Sequence, residues 1–321
     1  MTYTAETDLF RLSPELCKAV EGKRVFITGA GKDRGIGQGL ALAAGLGGAA
    51  SVAVHFHSSY EDGFDLVACL RAEGVNAFPV QADVTNLRDL WAMRSYVIKH
   101  MDGLPPNLVI CNSGLSESGY RLGVASREVE GESRGMRRAR VRQEFIRNLT
   151  ESHRVLDTKI DGFLAATHLW AGEAIYHKEP VQFVYVSSRQ ATDPGVAVPG
   201  YVIANWAVLQ LPRVLKVNLG KNADMVSSYC VLFPFIRTGM TSEYADNPKV
   251  FGRWQPRMLE LNECAESFMQ LLSWPKEETD NQIFQLTVKE EGDGIRAAWQ
   301  QVELQAHESD LDESKASIRY G

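Results

Sequence analysis

One loop restricts the fold of this chain more than any other stretch. Thr28-Gly29-Ala30-Gly31-Lys32-Asp33-Arg34-Gly35-Ile36-Gly37 joins an apolar run, KRVFIT at 23–28, to a run of small residues, GLALAAGLGGAA. The first reads as a strand and the second as a helix. Glycines in such a loop permit a tight turn and a close approach of backbone to a pyrophosphate. The helix behind them offers free amides and a partial positive charge. A glycine turn without a ligand is the bland alternative, and the strand–loop–helix context argues against it.

The rest of the chain repeats that rhythm. SVAVHFH reads as a second strand, 62–73 as a helix, NAFPVQADV as a third strand, and 87–100 as an amphipathic helix with Leu87, Leu90, Trp91, Met93, Val97 and Ile98 on its apolar side. NLVICNSG is a fourth strand, 153–177 a long helix and VQFVYV a fifth strand. A helical run follows at 201–217. MVSSYCVLF is a sixth strand, 259–274 a helix and NQIFQLTV a seventh strand. A short helix is also expected near 14–21, and a loop or flap at 239–258. Alternation of this kind predicts an α/β fold, a doubly wound parallel sheet of about seven strands, Rossmann-like, with helices on both faces. The expected organisation is a leader at 1–20, one domain at 21–290, and a polar acidic tail at 291–321, loosely attached or disordered at its end.

The bulk properties mainly exclude. A net charge of −6 speaks against general nucleic-acid binding. No run of about 18 apolar residues marks a membrane span, and the N-terminus lacks the order of a signal peptide. Five scattered cysteines with no CxxC suggest neither a disulfide framework nor a zinc site, and no HExxH occurs, so no metal is expected. A cytoplasmic location is expected.

Chemistry is suggested by Val181–Leu209. A β-branched and aromatic run ends in Ser187-Ser188, a Pro/Gly loop follows, and Tyr201 opens a helix on which Asn205 shares its face. Ser188, Tyr201 and Asn205 read as one side of an active site, with Lys159 upstream as the partner; Ser187 competes with Ser188. At the end of the second strand stand His57, Ser58 and Ser59, with no acid until Glu61. An NAD site usually places an acid there. Arg34 in the glycine loop adds positive charge suited to a 2′-phosphate, so NADPH/NADP is the expected cofactor. A solvated Arg34 and a surface His57 are the alternative.

These residues resemble the short-chain dehydrogenase/reductase family over roughly 20–290. The likeness rests on TGAGKDRGIG, Asp83-Val84 after the third strand, Cys111-Asn112-Ser113-Gly114 after the fourth, the spacing of Ser188 and Tyr201, and Ile236-Arg237-Thr238. Departures accompany it. The glycine loop is longer than the common form, CNSG replaces NNAG, and FPFIRT replaces PGxIxT. The YxxxK motif reads Tyr201-Val-Ile-Ala-Asn205, while the helix asparagine position reads Lys159-Ile-Asp-Gly162. Lysine and asparagine have changed places, as in the ketoreductase domains of polyketide synthases, which this pattern resembles.

The resemblance implies a tetrad of Lys159, Ser188, Tyr201 and Asn205. Tyr201 would be the general acid. Lys159 would lower the tyrosine's pKa, Ser188 would polarise a carbonyl, and Asn205 would orient Lys159 or a water. It implies cofactor contacts at Gly29, Gly31, Gly35, Ile36, Gly37, Asp83, Val84, Asn112, Ser113, Gly114, Ile236 and Thr238. The expected reaction is NADPH-dependent reduction of a ketone, on a small-molecule or acyl-thioester substrate of β-keto or polyketide-like kind. A reductase-like protein running a non-redox step, or acting without catalysis, is the alternative. A homo-oligomer is expected, with Leu169, Trp170 and Trp206 as interface candidates.

An arginine-rich insert at about 115–150 (Arg121, Arg127, Arg134, Arg137, Arg138, Arg140, Arg142, Arg147) departs from the rhythm. An acidic carrier protein could dock there. A solvated helix, balanced by Glu128, Glu130, Glu132 and Glu144, is the alternative.

Overall fold

The computed structural model describes residues 6–117, 119–123, 129–242, 245–247, 255–292 and 294–304. Its core is an eight-stranded sheet in the order β3-β2-β1-β4-β5-β6-β7-β8. The strands are β1 (Arg24–Ile27), β2 (Ser51–Phe56), β3 (Ala77–Gln81), β4 (Leu108–Cys111), β5 (Val181–Ser188), β6 (Val226–Phe233), β7 (Ile283–Glu291) and β8 (Gly294–Gln301). The first seven run parallel, and β8 returns antiparallel beside β7. β2, β4 and β6 are buried at every residue, the mark of strands covered on both faces.

One face of the sheet is covered by α2 (Ile36–Leu46), α3 (Tyr60–Ala72) and α9 (Leu261–Leu272). α4 (Leu87–His100) and α6 (Gly162–His177) cover the other, with Val208 and Leu209 beside them. α2 is nearly all Gly, Ala and Leu and lies close to its neighbours: a Cβ on Gly45 would meet Leu70 at 2.7 Å. Chain order reverses between β1 and β4, so a crevice opens beyond their carboxyl ends. Open α/β sheets bind ligands at such a switch point.

Four features depart from the sequence reading. First, the residues after Val288 are not loose: β7 continues to Glu291 and β8 occupies 294–301, with Trp299 donating Nε1–H to the Ser267 carbonyl at 2.7 Å. The far end of the tail, 305–321, lies outside the described residues, as do Arg127 and Glu128. Pro248 and Gly252 of the expected flap lie outside them as well. Second, the long helix begins at Arg134, not 153: α5 (Arg134–Leu156) runs through a π turn, Asp157–Asp161, into α6. Third, Leu87 and Trp91 of α4 face solvent, while Leu90, Met93 and Val97 are buried. Fourth, Trp170 is fully buried, 5.3 Å from the Phe26 ring, and serves the core rather than an interface. Trp206 is exposed.

Candidate active site

A cleft of about 630 Å³ occupies the switch point. The glycine loop forms one wall. Gly29 has φ of +66°, and a Cβ there would meet Ser113 Cα at 2.9 Å. On Gly37 a Cβ would meet Asn112 Nδ2 at 2.6 Å and the Gly29 carbonyl at 2.7 Å. Asn112 ties β4 to the loop by donating Nδ2–H to the carbonyls of Thr28 and Gly29, at 3.1 and 3.3 Å. The Thr28 hydroxyl accepts from the amides of Asn112 and Ser113.

His55, which the sequence reading passed over, holds the loop from beneath. Its Nδ1 accepts from the Gly29 amide at 3.2 Å and its Nε2 lies 3.1 Å from the Ala82 carbonyl. That pair of partners selects the neutral ring with hydrogen on Nε2. Burial pulls its pKa down to about 4.

α2 starts at Gly35 without a side-chain cap. Gly35 and Ile36 line the cleft, so this uncapped helix end suits a pyrophosphate. The loop and this helix end fit a dinucleotide.

Of the expected cofactor contacts, Gly29, Gly31, Gly35, Ile36, His57, Ser58, Ser59, Asp83, Val84, Asn112, Ser113, Gly114 and Thr238 line the cleft. Arg34, Gly37 and Ile236 are not among the lining residues. Arg34 is exposed, with φ of +51°, and its carbonyl accepts from the Gly239 amide. Lys32 is the cation that lines the cleft beside His57 and the two serines, 3.6 Å from Asp62. The spacing of the loop gave no way to choose between the two, because the αL turn at Arg34 sets which side chain faces in.

Asp83 accepts from Thr85 through both amide and hydroxyl, and lies 3.9 Å from His57. Burial would raise the Asp83 carboxyl, but the Thr85 hydrogen bonds and nearby histidines bring it below its ordinary range. Arg154, near the C-terminal end of α5, and Asp157 and Thr158 of the π turn also line the cleft; all three fall within the helix expected at 153–177, but nothing in their spacing marked them as site residues.

The tetrad residues meet only in part. Lys159 sits in the π turn, buried, and donates Nζ–H to the Val186 carbonyl at 2.6 Å. The ammonium also stands 4.7 Å from the Phe163 ring centre. Burial lowers its pKa to about 8, while Cys111 and Cys230 act the other way. Tyr201 lines the same cleft. Its pKa is raised, burial being the largest cause, and hydrogen bonds with Ser188 and Asn205 oppose the rise. The expected lowering of the phenol by Lys159 is thus not what sets its pKa.

Ser188 lies just outside this cleft, in an adjoining cavity of about 100 Å³ with Arg189, Gln190 and Phe235. Its hydroxyl accepts from the Gln190 amide at 3.2 Å. Asn205 is buried and does not line the cleft. Its Nδ2 donates to the Tyr201 carbonyl at 2.9 Å, and the Ser187 hydroxyl donates to the main-chain carbonyl of Asn205 at 2.9 Å. Asn205 therefore braces the tyrosine's helix against β5. The two serines divide the work: Ser188 caps the short turn at Gln190, and Ser187 anchors Asn205.

In the insert, Arg140 is held by Glu132 at 2.7 Å and Glu144 at 3.1 Å. It is a link within the chain rather than a free charge. Among the described residues no cluster of His, Cys, Asp or Glu could hold a metal, and no helix is long and apolar enough to cross a membrane.

Fold and cleft together define a Rossmann-type dinucleotide-binding protein. The sequence profile of the short chain dehydrogenase family matches residues 23–249, and the chain belongs to that family of oxidoreductases. Versicolorin reductase 1 of Aspergillus parasiticus is 30% identical over 176 residues, 54% of this chain and 61% of its own. Hydroxynaphthalene reductase arp2 of Aspergillus fumigatus is 34% identical over 98 residues, 30% of this chain and 34% of its own. The chain thus spans about a third to three fifths of the length of these curated relatives. Among solved structures, a short-chain type dehydrogenase/reductase from Mycobacterium ulcerans is similar with a TM-score of 0.67, at 20% identity, over 83% of this chain and 88% of that one. A gluconate 5-dehydrogenase from Burkholderia cenocepacia, solved with NADP and tartrate, is similar with a TM-score of 0.65, at 17% identity, over 88% and 96%. At these identities the likeness shows the fold.

Proposed function

We propose that this chain is an NADPH-dependent reductase of a ketone in a polyketide-like, aromatic or β-keto compound. The observation that carries the proposal is that Tyr201 and Lys159 line one cleft together with the glycine loop. Versicolorin and hydroxynaphthalene reductases among the relatives support the substrate class.

A nicotinamide held in the cleft would be the source of the hydride. The chain supplies the proton and the field. A carbonyl oxygen gaining negative charge needs a donor near it. Tyr201, half-buried and raised in pKa, remains protonated at neutral pH and gives its phenolic proton. Ser188 donates a hydrogen bond to the same oxygen. Lys159, placed by the π turn, contributes positive charge to the cleft wall. Its place on this helix, with Asn205 on the tyrosine's helix, supports the exchanged tetrad.

NADPH is preferred to NADH because Lys32, His57, Ser58 and Ser59 all line the cleft. Asp62, 3.6 Å from Lys32, accepts from the Asp33 amide at 3.1 Å. A 2′-phosphate finds donors there. A homo-oligomer is proposed through the exposed Phe145, Ile146 and Leu149 of α5 and Ile203 and Trp206 of α7 (Pro199–Ala207).

The test is NADPH oxidation with a panel of hydroxylated naphthalenone-type ketones, simple diketones and β-keto thioesters. Tyr201→Phe and Lys159→Ala are each expected to lower turnover by about a hundredfold or more. Tight NADPH binding with no oxidation on any substrate would move the assignment to a non-redox reaction.

A further inference from the structure

The start of Tyr201's helix is capped from outside. α7 opens after Val198, which offers no side-chain acceptor, and with Pro199, which has no amide hydrogen. A helix leaves its first amides without partners inside itself, and two here need acceptors from elsewhere. The Gly200 amide donates to Glu117 Oε1 at 3.2 Å, and the Tyr201 amide to Glu117 Oε2 at 2.9 Å. Val202 closes the turn by donating to the Val198 carbonyl at 3.0 Å. Both oxygens of one carboxylate are engaged, on adjacent residues, one of them the tyrosine.

Glu117 lies far from α7 in sequence, in the irregular stretch after β4, and is buried, at 9% exposure. It is itself held: Ser152 of α5 donates its hydroxyl to Oε1 at 2.6 Å, and Tyr120 pairs with Ser152 at 2.6 Å. Gly200 makes room for it. A Cβ there would meet Glu117 Oε1 at 2.6 Å and Ser152 Cβ at 2.9 Å. A carboxylate at the positive end of a helix is also electrostatically favourable.

We propose that Glu117 is the positioning residue for Tyr201. Its carboxylate fixes the first turn of α7 to α5 and to the segment after β4, and so aims the phenol at the cleft. This rests on the reading of Tyr201 as proton donor. The requirement is for two acceptor oxygens. A glutamine has one, and its amide group would face an N–H donor.

The test uses the full chain with Glu117→Gln, and Gly200→Ala as an independent way to displace the carboxylate. Hydrogen–deuterium exchange of the 199–207 peptide is compared with that of the α9 peptide. The 199–207 peptide is expected to exchange at least about threefold faster in both variants, with α9 unchanged. On a ketone the wild type reduces, kcat is expected to fall by about tenfold or more, while the NADPH dissociation constant stays within about twofold.

Unchanged exchange at 199–207 overturns the proposal. So does faster exchange with unchanged kcat, which makes Glu117 a structural cap only. A wild type that reduces nothing overturns the reductase assignment, and with it the positioning role of Glu117, whatever the exchange at 199–207.

Discussion

At the scale of single residues, two buried bases carry pH dependence of different kinds. Lys159, drawn down to about 8 by burial, is an ammonium only below that pH. If its charge is what the cleft uses, kcat/KM for reduction falls as pH rises through about 8, and Lys159→Met abolishes that inflection along with most of the rate; a pH–rate profile checks both. His55 acts on stability. Its folded pKa of about 4 lies below the usual 6.5, so the unfolded chain binds the proton more readily. The stability it contributes is present above about pH 6.5 and is lost as pH falls toward 4. Between pH 7 and pH 5 the loss is about 2 kcal/mol. Urea midpoints at the two pH values measure it, and His55→Gln should flatten the difference. None of the roles of His55 was visible in SVAVHFH, where it sits among apolar neighbours like any core residue. Its task depends on the Gly29 amide, which only the folded loop brings to it.

At the scale of elements, the strand–loop–helix unit around the glycine loop was the most legible part of the chain, because each of its glycines answers a steric demand. Gly37→Ala should cost about 1–3 kcal/mol and weaken dinucleotide binding, since the new methyl meets both Asn112 and a fixed backbone carbonyl. Thermal unfolding and an NADPH titration check the two effects. α5 was less legible. Its arginines read as an insert, although Ser133 caps its N-terminus by accepting from the Met136 amide. β8 was missed because GIRAAWQQ is short of β-branched residues and follows an acidic run. A signal was there: a glycine, Gly292, follows β7 directly, and it has φ of +60°. Trp299→Ala should cost about 2 kcal/mol, because the indole loses the Ser267 bond and its contact with Phe233. A loosely attached tail would show no change in a urea titration.

At the scale of the whole molecule, alternation of buried strands and amphipathic helices sufficed for the doubly wound sheet. What it could not supply was which helical faces stay open. Trp170 and Trp206 look alike in sequence, yet one packs on Phe26 and the other is exposed. The exposed apolar residues of α5 and α7 lead to a further expectation: Ile203→Glu with Trp206→Glu lowers the oligomer mass seen by light scattering. The π turn at Asp157–Asp161 has a consequence for how such a chain changes length over generations. A π turn holds one residue more than the α turn it replaces, so losing one residue there would swing all of α5 by about 100° about its axis. Ser152 would leave Glu117, and Arg154 would leave the cleft. Single-residue deletions in this helix are therefore expected to be purged, and lineages that shorten it are expected to do so elsewhere.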